Sequence, residues 1–174
     1  MNALRLETDR LILRPPVESD LDAWAAFDSD GRATEFFGGP KSRATAWEFL
    51  ATAAGMWALR GCGMFSVIEK NSDHVIGRIG PWKPEGASAE IGWAILPSMW
   101  GKGYATEGAS AAIDWVIDSL GWTQIDHCID EGNIASIAVA HRLGSQWLRV
   151  GLDAHGKATQ VYGQTSEHWL SRND

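Results

Sequence analysis

Apolar residues recur along this chain with two periods, and each change of period marks an element. Residues 6–14 alternate around Leu11, Ile12 and Leu13 and are closed by Pro15-Pro16, which predicts a first strand. Leu21, Trp24, Ala25 and Phe27 form one side of a helix over 20–28, with Ser19 as its cap. Phe36-Phe37-Gly38-Gly39-Pro40 reads as a loop carrying two aromatics. Trp47, Leu50, Ala54 and Trp57 then predict a helix over 43–59, stopped before Gly61 and Gly63. Residues 64–69 and 75–79 form a hairpin across the turn Lys70-Asn71-Ser72-Asp73, and 89–96 is another strand. Ala105, Ala109, Ala112, Ile113, Val116, Ile117 and Leu120 give a long helix one broad apolar face over 105–120, and Gly121 ends it. A strand over 124–129 follows, then a helix over 134–143 between Asn133 as cap and Gly144 as stop, then strands over 146–150 and 158–162.

The long helix is a crossover, so the strands on either side of it, 89–96 and 124–129, are expected to be parallel, while the other connections are hairpins. This predicts an α/β fold with a mixed, mostly antiparallel central sheet and helices on both faces. No repeat, low-complexity tract or linker interrupts the chain, which reads as a single domain over 1–174.

Composition narrows the function classes. The 174 residues are 45% hydrophobic and 21% charged, with a net charge of −7. No apolar run approaches membrane-spanning length and the first residues lack an apolar signal region, so a cytoplasmic protein without a membrane partner is expected. The absence of a basic stripe argues against nucleic acid. An acidic surface is compatible with an amine or basic peptide, and equally with solubility alone. Cys62 and Cys128 read as free buried thiols, and the scattered histidines form no metal motif. The ten tryptophans are core anchors or walls of an apolar groove. Monomer and homodimer both remain open.

Trp100-Gly101-Lys102-Gly103-Tyr104-Ala105-Thr106 lies between a strand and the start of the long helix. Glycines there let the backbone approach a ligand, and the first helical N–H groups, which lack internal partners, favour an anion with the helix dipole behind them. Lys102 adds a mobile positive charge. A nucleotide P-loop would need Ser or Thr after the lysine, where Gly103 stands, and a dinucleotide fingerprint would need glycine at Thr106. Gly151 to Ala158 resembles a P-loop in spacing but ends in Ala158 before a strand-like run, and reads as a hairpin loop.

Three stretches in this order resemble the GNAT N-acetyltransferase superfamily, and within it the branch of ribosomal-protein N-terminal acetyltransferases. They are Leu6-Glu7-Thr8-Asp9-Arg10-Leu11-Ile12-Leu13-Arg14-Pro15, then Glu90-Ile91-Gly92-Trp93 through Glu107, then Asn133-Ile134-Ala135-Ser136 through Gly144. The resemblance implies a splayed parallel strand pair and an acetyl-CoA cosubstrate. It implies that the amides of Gly101, Lys102, Gly103, Tyr104 and Ala105, with the Thr106 hydroxyl, hold the pyrophosphate. It places main-chain groups around Ile95 and Leu96, with Asn133 and Ser136, against the pantetheine arm; the last two also read as plain helix capping. Trp100 stands where the wider superfamily often has Gln or Arg, a change common in this branch. Ala140 stands where the superfamily often has a tyrosine acid.

The implied reaction is direct attack of a neutral amine on the thioester. An α-amino group with a pKa near ~8 is about one-tenth neutral at pH 7, whereas a lysine amine needs more help. Glu90 is the candidate base, with a solvent-facing strand carboxylate as its alternative. Ser136 is the candidate proton donor to the thiolate, and a strand N–H the candidate oxyanion partner. Glu107 reads as a helix first-turn residue and His141 as a last-turn cation. Neither cysteine has a motif for covalent catalysis. Phe36, Phe37, Trp47, Trp82 and Trp93 are expected to line the acceptor pocket, for a protein N-terminus or a small amine. An acetyl-CoA-binding module without transfer, and transfer of a different acyl group, are the alternatives.

Overall fold

The computed structural model describes residues 4–83, 85, 89–152 and 156–173. The first predicted strand is two: β1 (Leu6–Glu7) and β2 (Leu11–Arg14) pair antiparallel. The polar Thr8-Asp9-Arg10 segment breaks the alternation, and the turn closes by Thr8 N–H to Leu11 O and Leu11 N–H to Thr8 Oγ1. Helix α1 (Leu21–Ser29) follows a short 3-10 turn, so Ser19 is not its cap. The Asp20 carboxylate at that turn instead accepts a fork from Arg14 and bonds from Ser66 and the Val17 N–H. Helix α2 (Arg43–Arg60) begins where the periodicity placed it, and Ser42, not singled out from sequence, caps it: its Oγ accepts from the Thr45 N–H.

Strands β3 (Phe65–Glu69), β4 (His74–Trp82) and β5 (Glu90–Ile95) continue the antiparallel sheet in the order β1-β2-β3-β4-β5, with β4 running three residues past its expected end. Helix α3 (Tyr104–Leu120) leads to β6 (Gln124–Ile129), α4 (Ile134–Arg142), β7 (Gln146–Leu152) and β8 (Ala158–Thr165). The last three strands form a second antiparallel sheet, ordered β6-β8-β7. The Gly151 to Ala158 segment is the β7–β8 hairpin connection, its residues 153–155 lying outside the described ones. A closing helix α5 (Ser166–Leu170) has too little apolar periodicity to stand out in sequence.

Side-chain alternation distributes the helices. Leu11, Leu13, Phe65, Val67 and Ile79 face α3 and bury its Ala109, Ala112 and Ile113. Trp24 of α1 and Leu50 and Ala53 of α2 pack on the opposite face, where Trp24 Nε1 donates to Ser66 Oγ. Both faces are therefore covered, as the mixed α/β reading requires. The pair expected to be parallel, β5 and β6, lie in contact, yet no ladder joins them among the described residues. Side chains bridge that seam instead.

Candidate active site

The glycine bend ends at Gly103, the N-cap position just before α3, with φ of 82°. Helices α2 and α4 have side-chain caps from Ser42 and Asn133; α3 has none. Among the described residues the amides of Gly101 and of Gly103 through Thr106 donate to no acceptor, the first helical bond being Glu107 N–H to Gly103 O. A Cβ built on Gly101 would meet nothing within 4 Å, so the bend is open. A run of aligned, unspent donors at a helix start, with the exposed Lys102 beside it, fits a diphosphate. Glu107 is turned away from this surface. Its carboxylate accepts from Thr8 Oγ1 at 2.5 Å, the Arg10 N–H at 2.9 Å and Arg10 Nε at 2.7 Å. Burial pushes the Glu107 carboxyl up, but those bonds outweigh it and hold it below its ordinary value.

Strand β5 leads from a cavity to this bend. Leu96 N–H donates to Ile76 O, which makes Leu96 a hydrogen-bonded partner of β4; alternation then turns the peptide groups of Ile91, Trp93 and Ile95 toward β6. Met99 N–H occupies Leu96 O, so the expectation that Leu96 offers main-chain groups to the gap does not hold. Ile95 does face it, but its carbonyl already accepts from Trp100 Nε1 at 2.6 Å. The half-exposed Trp100 thus folds back to brace the strand end. At the other end His127 pins the seam: Nδ1 lies 2.8 Å from Ile91 O and Nε2 3.1 Å from Ser145 Oγ. A carbonyl only accepts, so Nδ1 carries the proton and Nε2 accepts from Ser145.

Burial lowers the pKa of His127 from 6.5 to about 4. Between those values the unfolded chain binds a proton that the folded chain refuses. This group therefore costs no stability above pH 6.5, and about 3 kcal/mol is lost as the pH falls toward 4. Urea unfolding between pH 7 and 4.5 should show this slope in the wild type and not in His127→Gln; an equal slope in both would remove His127 as its source.

The cavity of about 640 Å³ beside the seam brings several predicted residues together. Glu90, Asn133 and Ser136 open into it from β5 and the start of α4, and Phe36, Phe37, Trp82 and Trp93 are among its walls. Trp47 is exposed and not among them. Glu90 Oε2 accepts from the Cys128 N–H at 2.9 Å, so its carboxylate is anchored across the seam. Asn133 Oδ1 accepts from the Ser136 N–H at 3.1 Å, and Trp93 Nε1 donates to Ser136 Oγ at 3.2 Å. With one lone pair so engaged, the Ser136 hydroxyl keeps its proton for another acceptor. Ala140 is fully buried against Ile129 and Tyr162, so that position supplies no acid. His141 bonds Ser145 O and takes no part in the cavity wall.

Burial first, and then the Glu90 carboxylate, push the Cys128 thiol up to about 12. Burial likewise raises Cys62. Both stay protonated at neutral pH, which agrees with a route without a cysteine nucleophile. Several wall residues were not singled out from sequence. Arg78 donates to Asp28 at 2.7 Å and lies over the rings of Trp24, Phe27 and Phe49. A charged residue inside a strand pattern was the one available hint. His127 carried none, because its partners are remote in sequence; Arg10, outside the cavity wall, lay in the first resembling stretch but had no role assigned from sequence. Among the described residues no group of His, Cys, Asp or Glu could hold a metal ion, and no helix is long and apolar enough to cross a membrane.

The profile of the Acetyltransferase (GNAT) domain matches residues 10–146. The chain is 30% identical over 164 residues to the N-acetyltransferase p20 of Bacillus licheniformis, itself described as uncharacterized, covering 90% of this chain and 92% of that protein. The crystal structure of an acetyltransferase from Agrobacterium tumefaciens str. C58 matches with a TM-score of 0.83 at 27% identity, over 94% of this chain and 95% of that one. The ribosomal-protein-S5-alanine acetyltransferase of Vibrio fischeri shares the fold at a TM-score of 0.74 and 16% identity, over 95% and 98% of the two chains. An open, uncapped helix start joined by one strand to an aromatic cavity, together with the match over most of the sequence, places the chain in the GNAT acetyltransferase family as an N-acetyltransferase.

Proposed function

We propose that the protein moves an acetyl group from acetyl-CoA to a primary amine seated in the aromatic cavity, by direct attack within a ternary complex. Acetyl-CoA supplies the activated thioester carbonyl. The amides of Gly101 to Ala105, the Thr106 hydroxyl and Lys102 hold the diphosphate. Asn133 and Ser136 face the arm, beside the gap-facing peptide groups of Trp93 and the Ile95 N–H. Glu90 takes the proton from the amine, directly or through water; Ser136 donates a hydrogen bond from its hydroxyl to the leaving thiolate, which solvent then protonates, and Glu90 returns its own proton to solvent. A gap-facing N–H of β5 stabilises the oxyanion. One observation supports this reading most: Glu90 and Ser136, from different elements, open into one cavity, and β5 runs from that cavity to the uncapped start of α3. The acceptor is a protein N-terminus or a small amine, and the aromatic walls suit one with an apolar body.

Thiol release measured with small arylalkylamines, lysine and peptides bearing a free N-terminus tests the proposal. Turnover on at least one amine is expected. Acetyl-CoA binding without turnover on any would leave a module that binds the coenzyme and no longer transfers, a reading favoured by the buried Ala140. A preference for succinyl-CoA over acetyl-CoA would overturn the assigned donor. Ser136→Ala should lower kcat about tenfold with little change in the KM for acetyl-CoA, which would not follow if Ser136 only ended a helix cap.

A further inference from the structure

The Thr8-Asp9-Arg10 turn is not among the cavity walls and plays no part in the chemistry above, yet it makes several polar contacts with the glycine bend and the first turn of α3. Arg10 Nε and Nη2 reach Glu107 Oε2 at 2.7 and 2.6 Å, and Arg10 Nη1 donates to Lys102 O at 2.9 Å. The guanidinium also lies over the Tyr104 ring, 4.6 Å from its centre, and Tyr104 is held in turn by a hydrogen bond to Glu69. A Cβ on Gly103 would approach Arg10 Nη2 at 3.5 Å.

We infer that Arg10 is a positioning residue for the diphosphate of acetyl-CoA. Two physical effects converge on it. In a trans peptide the C=O and the following N–H point in opposite directions. Tethering Lys102 O to the guanidinium therefore turns the Gly103 N–H away from Arg10. Secondly, a carboxylate in the first helical turn would repel a bound anion. Arg10 and Thr8 draw the Glu107 carboxylate back onto the β1–β2 turn and offset its charge. A planar fork is needed, because a single ammonium cannot hold Glu107 and Lys102 O in this geometry.

The inference rests on the proposed use of acetyl-CoA, so the two are separated by the donor. Acetyl-CoA binding is measured by calorimetry, and turnover is measured with acetyl-CoA and with acetyl-pantetheine, which lacks the diphosphate. Arg10→Met should weaken acetyl-CoA binding and raise its KM about tenfold or more, with kcat at saturation and the acceptor KM changed less than about twofold. Its kcat/KM with acetyl-pantetheine should stay within about twofold of wild type. Arg10→Lys should recover only part of the affinity, and it serves as the second variant if Arg10→Met does not fold. Unchanged acetyl-CoA affinity in either folded variant, full recovery by lysine, or equal losses with both donors would overturn the role of Arg10. Failure of the wild type to bind acetyl-CoA would instead overturn the functional proposal itself.

Discussion

Gly103→Val is expected to raise the Kd for acetyl-CoA by about a hundredfold or more, as read by calorimetry on folded protein. Gly103 sits at φ of 82°, where an L residue costs about 1–2 kcal/mol and a β-branched one more. The chain can relieve that strain only by rotating peptides at the head of α3, which scatters the amides proposed to converge on the diphosphate. A built-in control lies at the other end of the same helix. Gly121 is also left-handed, at φ of 65°, and a Cβ added there would meet no atom within 4 Å. Gly121→Val should therefore cost comparable stability in urea unfolding while leaving acetyl-CoA affinity intact. Equal affinities in the two variants would mean that the coenzyme binds somewhere other than the bend.

Glu90→Gln is expected to lower kcat about a hundredfold with no change in acetyl-CoA affinity. Glutamine keeps an oxygen for the Cys128 N–H, so the anchor across the seam survives and the change isolates the loss of a proton acceptor. The acidic limb of the kcat/KM profile should lose one ionisation in the variant. Cys128→Ala is the companion: its thiol, pushed up to about 12, is inert at neutral pH, so activity should remain within about twofold. A Glu90→Gln enzyme with wild-type kcat would reduce Glu90 to a strand carboxylate and shift the search for a base to Asp28 or an ordered water.

Local signals in the chain account for much of what was legible. The glycine bend, the cap Asn133 and the period of α3 each act within a few residues of their own position, so their structural outcome could be stated in advance. Where a local signal failed, remote partners were involved. Ser19 read as the cap of α1, but a 3-10 turn stands there instead, and Arg14 and Ser66 hold the Asp20 carboxylate at its end. Leu96 read as part of the gap because the strand pattern does not show which peptide groups face which neighbour; its register with Ile76 decided that.

By itself the sequence determined the main order of elements from β2 to β8, the mixed α/β class, the glycine bend ahead of α3 and the set of residues that resemble an acetyltransferase, since each depends on spacing along one stretch of chain. Only the tertiary structure decided that Glu90, Trp93 and Ser136 share a cavity, that His127 rather than a ladder closes the seam, and that Arg10 holds a carboxylate ninety-seven positions away. Those contacts join residues brought together by packing the helices on the two sheets, and the energy of such an approach resides in the assembled core rather than in any single segment of it.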